Sequence, residues 1–246
     1  MKIDLSIIMC SFNEEAWIQK SLNDLHQSID SRSESVEILL IDNGSNDGTR
    51  DVIKKIKDPR YRIFFNDKNI GKGGSIKKGI QNSTGKYIVI HDPDFEYRAS
   101  DLWRCYDSIT SQPVECILGS RLKGSKIRFI YLTNLLGVIF LSKLISWLYN
   151  CEISDGATAM KMFHASTLKN LQLASSGFDL DFELITKTRL AKGSIGEIAI
   201  EYFPRTFKEG KKIRALQDGI KALFVILRDR YQFFQRISYR FYPSAN

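Results

Sequence analysis

Three acids, Asp92, Asp94 and Glu96, fall within five residues of His91-Asp92-Pro93-Asp94-Phe95-Glu96-Tyr97. They directly follow Tyr87-Ile88-Val89-Ile90, a β-branched and aromatic run that reads as a buried strand. Carboxylates at the C-terminal end of such a strand stand where open α/β sheets bind ligands. Their hard oxygens suit Mg2+ or Mn2+. An ion held there beside a sugar-nucleotide diphosphate would stabilise a departing phosphate. A solvated turn with helix-capping acids would carry the same letters, so the other strand ends have to be read with it.

The elements that must position these acids alternate along the first half of the chain. Apolar runs at residues 5–10, 36–41, 61–66, 87–91 and 115–119 read as strands. Helical spacing falls between them at 15–28, 49–56, 75–82 and 99–111. This order implies an α/β fold with a mostly parallel central sheet and helices on both faces. Right-handed crossovers then bring the strand ends to one edge. That edge receives Asn13 and Glu14, then Asp42, then Asp92 and Asp94. Before the helix at 75–82 lies Asn69-Ile70-Gly71-Lys72-Gly73-Gly74-Ser75, whose glycines would let backbone N–H groups approach a phosphate. The segment is neither a Walker loop nor a dinucleotide fingerprint after the first strand.

At 246 residues the chain suits one large α/β domain, with or without a C-terminal extension. Charged residues make up 26%, ordinary globular usage that argues against disorder. The net charge of +8 favours an anionic partner. Residues 1–5 enter a strand almost at once, so no signal peptide is expected. Cys10, Cys105, Cys116 and Cys151 form no C-x-x-C pair, which points to reduced thiols in a cytoplasmic protein.

Cys10-Ser11-Phe12-Asn13-Glu14 resembles the P-x-Y-N-E opening of family 2 glycosyltransferases. The stretch Asp42-Asn43-Gly44-Ser45-Asn46-Asp47-Gly48-Thr49 resembles their D-D-G-S-x-D-G-T, and 69–75 their N-x-G-K-G-x-A. Asp92-Pro93-Asp94 resembles D-x-D, Gly119-Ser120-Arg121 resembles G-S-R, and 155–161 resembles D-x-x-T-x-x-K. A further motif lies between Lys187 and Lys212. Order and spacing are similar to the dolichol-phosphate mannose synthase-like branch, from residue 5 to about 225. Cys10 stands in place of the usual Pro, Pro93 in place of a small residue, and Ala159-Met160 where an aromatic or Gly is common.

The resemblance implies a GT-A fold over 1–215, with an interfacial helix at 126–150, and a basic, aromatic helix at 216–246. It implies that Asn13, Glu14, Asp42, Gly71, Lys72 and Asp92 bind a UDP- or GDP-linked sugar. Asp92, Asp94 and Glu96 would hold Mg2+ or Mn2+. In-line attack would invert the anomeric centre. A polyprenyl-phosphate acceptor is already an anion and needs no base; Arg121, Arg205 and Lys212 would position it. A sugar-hydroxyl acceptor, as in polysaccharide or lipopolysaccharide synthesis, requires a carboxylate base. Asp155, Asp181 and Glu183 are the candidates. Asp94, Asp155 and Arg205 are thus the expected catalytic set.

Residues 129–142 are uncharged and flanked by Arg128 and Lys143, shorter than the roughly 20 residues of a span unless extended to Tyr149. Residues 222–242 mix Phe224, Phe233, Phe234, Tyr239 and Phe241 with Arg228, Arg230, Arg236 and Arg240. Both stretches suit helices lying on an anionic membrane surface, at its cytoplasmic face. Core helices are the alternative, and for the tail protein–protein contact, self-association into a homo-oligomer included. Nucleic acid is not an expected partner, because acids crowd the ligand edge and would repel a phosphate backbone. A sugar-phosphate nucleotidyltransferase would carry its Gly-rich loop after the first strand, where residues 10–14 hold no glycine.

Overall fold

A computed structural model describes residues 2–124 and 127–241, with side chains through Gln235. Lys126, Tyr242 and the side chains of Arg236, Tyr239, Arg240 and Phe241, invoked above, lie outside the described residues. The strands are β1 (Leu5–Ser11), β2 (Val36–Asp42), β3 (Tyr61–Phe65), β4 (Tyr87–Ile90), β5 (Cys116–Ser120), β6 (Lys161–His164) and β7 (Ile195–Ala199). The helices are α1 (Ile18–Asp30), α2 (Thr49–Ile53), α3 (Lys72–Asn82), α4 (Ala99–Ser111), α5 (Leu132–Tyr149), α6 (Ala165–Asn170), α7 (Leu180–Leu190) and α8 (Ala215–Phe241).

The strands form a seven-stranded sheet in the order β3-β2-β1-β4-β6-β5-β7. Only β6 runs against its neighbours, β4 and β5. The expected mostly parallel sheet is therefore present, and the sequence reading lacked β6 and β7. Successive β1 side chains take opposite faces, as the strand period of 2 requires. Leu5, Ile7 and Met9 pack with Leu22 and Leu25 of α1 and Leu102 of α4. Ile8 turns the other way, to Ile76 and Ile80 of α3 and Leu184 of α7. With both faces covered, β2 reads Val36-Glu37-Ile38-Leu39-Leu40-Ile41-Asp42 and is buried throughout. Glu37, inside that run, accepts from Ser6 Oγ at 2.6 Å and pairs with Arg62.

The uncharged stretch becomes α5, which continues past Lys143 to Tyr149. It is the one described helix long and apolar enough to cross a membrane by length and composition. Its Val138, Leu141, Ile145 and Tyr149 are nevertheless buried on the protein side. Helix α8 starts at Ala215. Ala222, Val225, Ile226 and Asp229, at i, i+3, i+4 and i+7, form its inner face. Asp229 accepts from Thr186 Oγ1 of α7 at 2.6 Å, and Ile226 O accepts from Tyr149 Oη of α5 at 2.6 Å. All four cysteines are free thiols; Cys105 and Cys116 are buried and Cys10 and Cys151 half-buried.

Candidate active site

The C-terminal ends of β1, β2, β4 and β5 share one edge. The loops leaving them, the first turn of α3 and the segment after β7 wall a cavity of about 450 Å³. Gly71 opens α3 with φ +82°, and a Cβ there would lie 2.1 Å from Ser176 O, so only glycine fits. Lys72 then points into the cavity, 2.6 Å from Asp92 and 3.8 Å from Asp181. Burial alone would lower its pKa, but the two carboxylates outweigh burial and keep the ammonium charged.

Four acids and three cations meet beside it. Arg205 donates to Glu14 Oε2 at 2.7 Å, to Asp94 Oδ2 at 3.1 Å and to Glu96 Oε1 at 3.4 Å. Lys212 contacts Glu14, and Lys211 lies 3.5 Å from Glu96. Burial, followed by repulsion from Glu96 and Asp92, pushes the Asp94 carboxyl up to about 7. The mutual repulsion of these close-set carboxylates is what a further cation would relieve.

Asp92 and Asp94 fit that cation and Glu96 does not. Glu96 turns to the segment after β7, where it also accepts from Tyr202 Oη at 2.7 Å and from the Arg205 N–H at 3.1 Å. No group of three or more His, Cys, Asp or Glu is arranged for a metal among the described residues. Two carboxylates still match Mg2+ or Mn2+, which keep waters and take substrate phosphate oxygens for the remaining positions.

Other expected site residues sit elsewhere. Asn13, at φ +51°, is turned from the cavity wall; its Oδ1 accepts from the Asn46 N–H at 3.0 Å, tying the first loop to the second. Asp42 is fully buried, with Oδ2 accepting from Arg50 Nε at 2.6 Å. Its Oδ1 has no donor among the described residues, and the adjoining Asn43 lines the cavity. Asp155 is fully buried behind Arg121, which donates Nε and Nη2 to it at 2.7 Å each. That bidentate pair gives Asp155 the work of positioning Arg121 and leaves it no route to an acceptor hydroxyl. Glu183 is fully buried as well, accepting from the N–H groups of Ala174 and Ser175 and pairing with Arg228. Of the three proposed bases, Asp181 lines the cavity.

Sequence reasoning did not assign Tyr97, Phe178, Tyr202 or Lys211, which also line the cavity. The apolar helices contribute Gly137, Val138 and Leu141 of α5 and Ala215 and Gly219 of α8 to the cavity's apolar end, with Thr133, Asn134, Asp218 and Lys221 among them. Residues 155–161 and 202–212 carried the signal as motifs, but pairing across a hundred residues is invisible in spacing.

The glycosyl transferase family 2 profile matches residues 6–171. The chain belongs to this family. This glycosyltransferase is 27% identical over 249 residues to the dolichyl-phosphate beta-glucosyltransferase of Dictyostelium discoideum, covering 94% of this chain and 75% of that one. It is 28% identical to the human dolichyl-phosphate beta-glucosyltransferase, covering 91% and 75%. Identity is 24% to the UDP-N-acetylglucosamine–dolichyl-phosphate N-acetylglucosaminyltransferase of Methanococcus voltae, over 79% and 84%. Among solved structures, glucosyl-3-phosphoglycerate synthase from Mycobacterium tuberculosis, with Mn2+, uridine diphosphate and glucosyl-3-phosphoglycerate, superposes with a TM-score of 0.69 at 15% identity, over 93% and 80% of the chains. Staphylococcus aureus TarS with UDP-GlcNAc gives 0.62 at 16%, over 99% and 74%. The shared fold is GT-A, as the resemblance implied.

Proposed function

We propose that this glycosyltransferase moves a sugar from a UDP-linked donor to a polyprenyl phosphate at an anionic membrane surface, inverting the anomeric centre. The observation that carries this reading is a single cavity with a charged end and an apolar end. The charged end, around Asp92, Asp94, Lys72 and Arg205, suits a diphosphate and an acceptor phosphate. The apolar end, between α5 and α8, suits the first isoprene units of a lipid.

The roles follow from chemistry. The base would lie at the end of the cavity where Asn43 forms the wall, next to Asp42 with its orphan Oδ1. A divalent ion at Asp92 and Asp94 supplies charge neutralisation on the diphosphate when bound. Lys72 and the glycine-opened helix start would stand beside the same phosphates. The acceptor phosphate, already an anion, would attack the anomeric carbon without a base, and the bond from that carbon to the diphosphate oxygen would break as UDP leaves. Arg205 and Lys212 lie where it must stop, and it takes up guanidinium contacts that Asp94 and Glu14 otherwise hold. The names of the relatives in Dictyostelium and human support this acceptor class.

Arg205→Lys tests the acceptor. A point charge cannot replace the fork, so transfer to polyprenyl phosphate should fall roughly 10- to 30-fold, the loss of a charged hydrogen bond. Slow donor hydrolysis without acceptor should persist. Intact transfer in the variant, or a wild type that glycosylates only sugar hydroxyls, overturns the assignment.

Support for the membrane surface comes from two stripes. Leu132, Leu136, Phe140 and Trp147 of α5 are exposed, Trp147 to 79%. Leu216, Ile220, Phe224, Leu227, Tyr231 and Phe234 of α8 repeat at helical spacing and are exposed too. Exposed Lys143 lies within the first stripe and exposed Lys221 beside the second, cations that anionic lipid head groups would meet. The inner faces of both helices are docked in the core, which supports a surface position over a crossing. The protein should pellet with anionic liposomes and be released by high salt, because attraction is screened beyond roughly 8–10 Å. Trp147→Ser with Phe224→Ser should abolish pelleting and spare donor hydrolysis. Retention after carbonate washing would mean that α5 inserts.

A further inference from the structure

Lys161, at the start of β6, is among the largest fully buried side chains of the described residues, 0% exposed. An ammonium in such a place is costly unless it is paired. Its Nζ lies 3.2 Å from Asp181 Oδ1 and contacts Thr158 O. The other oxygen of Asp181 lies 3.8 Å from Lys72 Nζ, and Lys72 lies 2.6 Å from Asp92. The four groups form a row: a buried cation, a carboxylate on the cavity wall, a second cation, and an acid of the proposed diphosphate site. Buried ion pairs of this kind add little stability over an apolar pair of similar volume. What Lys161 does provide is a fixed orientation for Asp181.

We propose that Lys161 is a positioning residue that presents Asp181, beside Lys72, to the hydroxyl groups of the transferred sugar, making Asp181 a determinant of donor-sugar specificity. The inference rests on the nucleotide-sugar reading. The transferred sugar would hang from the diphosphate, and Asp181 is separated only by Lys72 from Asp92, which would hold the ion that neutralises it. A carboxylate only accepts and an ammonium only donates, so neighbouring ring hydroxyls find both partners side by side. Phe178, whose ring centroid is 5.6 Å from Lys72 Nζ, supplies an apolar plane for the ring face. Asp181 itself can neither drift nor turn inward, because Lys161 holds it from beneath.

The test compares UDP with UDP-glucose by calorimetry in the presence of Mn2+. Asp181→Asn keeps the shape and should weaken UDP-glucose about tenfold or more, the loss of a charged hydrogen bond, while UDP binding stays unchanged. It should also narrow the preference for UDP-glucose over UDP-galactose. Lys161→Met should act in the same direction through the freed Asp181. The double variant should be no worse than Asp181→Asn alone, since the two act on one contact. Parallel weakening of UDP and UDP-glucose, or an unchanged ratio in Asp181→Asn, overturns the proposal, and Asp181→Asn decides it even if Lys161→Met fails to fold. A wild type that binds neither UDP nor UDP-glucose removes the donor reading itself, a result distinct from tight binding without a change in ratio.

Discussion

Asp94→Asn should lower turnover by roughly 10²- to 10³-fold, the scale set by removing a main electrostatic contact in a water-poor site. Asparagine keeps the volume and can still accept from the Glu96 N–H, which meets Asp94 Oδ1 at 3.0 Å. What it loses is charge, at a point 3.1 Å from the Arg205 guanidinium and beside Asp92. The variant should fold normally, since it also removes the buried charge whose burial, and then crowding by Glu96 and Asp92, raises the Asp94 pKa. Mn2+ titration followed by electron paramagnetic resonance should show weaker binding in the presence of UDP. Near-normal turnover of the variant, with EDTA present, would sink both the metal site and the role of Asp94.

Asp155→Ala should act on stability before chemistry. The carboxylate is fully buried, and its partner Arg121 has only 8% of its side chain exposed. Removing one member of a buried pair leaves an uncompensated charge and costs about 3–5 kcal/mol. For a chain of this size that is a fall in Tm of roughly 6–20 °C. Differential scanning fluorimetry measures it directly. An unchanged Tm with kcat abolished would return Asp155 to the role of general base.

The first half was legible because its strands are buried on both faces. Runs such as those of β1 and β2 read as strands without any structure, and α4 spans the residues its spacing indicated. The second half hides its elements. β6 is Lys161-Met162-Phe163-His164, four residues with a cation at one end, and β7 carries a glycine and a glutamate. Helix α7 is buried almost all round over its first turns, so no polar face marks it as a helix. The same limit applies to the site. Asp92 and Asp94 stand out at the end of a strand, but that Glu96 would pair with Arg205, or Asp155 with Arg121, depends on contacts made after the chain has folded.

The single reversed strand also sets the order in which the protein can be made. β5 pairs only with β6 and β7, and β6 lies between β5 and β4. While the chain is being synthesised, β1, β2, β3 and β4 can join as they emerge, but β5 has no place in the sheet until β6 follows. At usual elongation rates that wait lasts roughly 2–10 s. During it the outer edge of β4 is open, and α5, with its exposed Leu136, Phe140 and Trp147, has emerged without α8 to cover its inner side. Long-range pairing of this kind slows folding and exposes sticky surface. A membrane close to the ribosome would shelter α5 through that interval, so the membrane surface proposed for the mature enzyme would also protect the nascent chain.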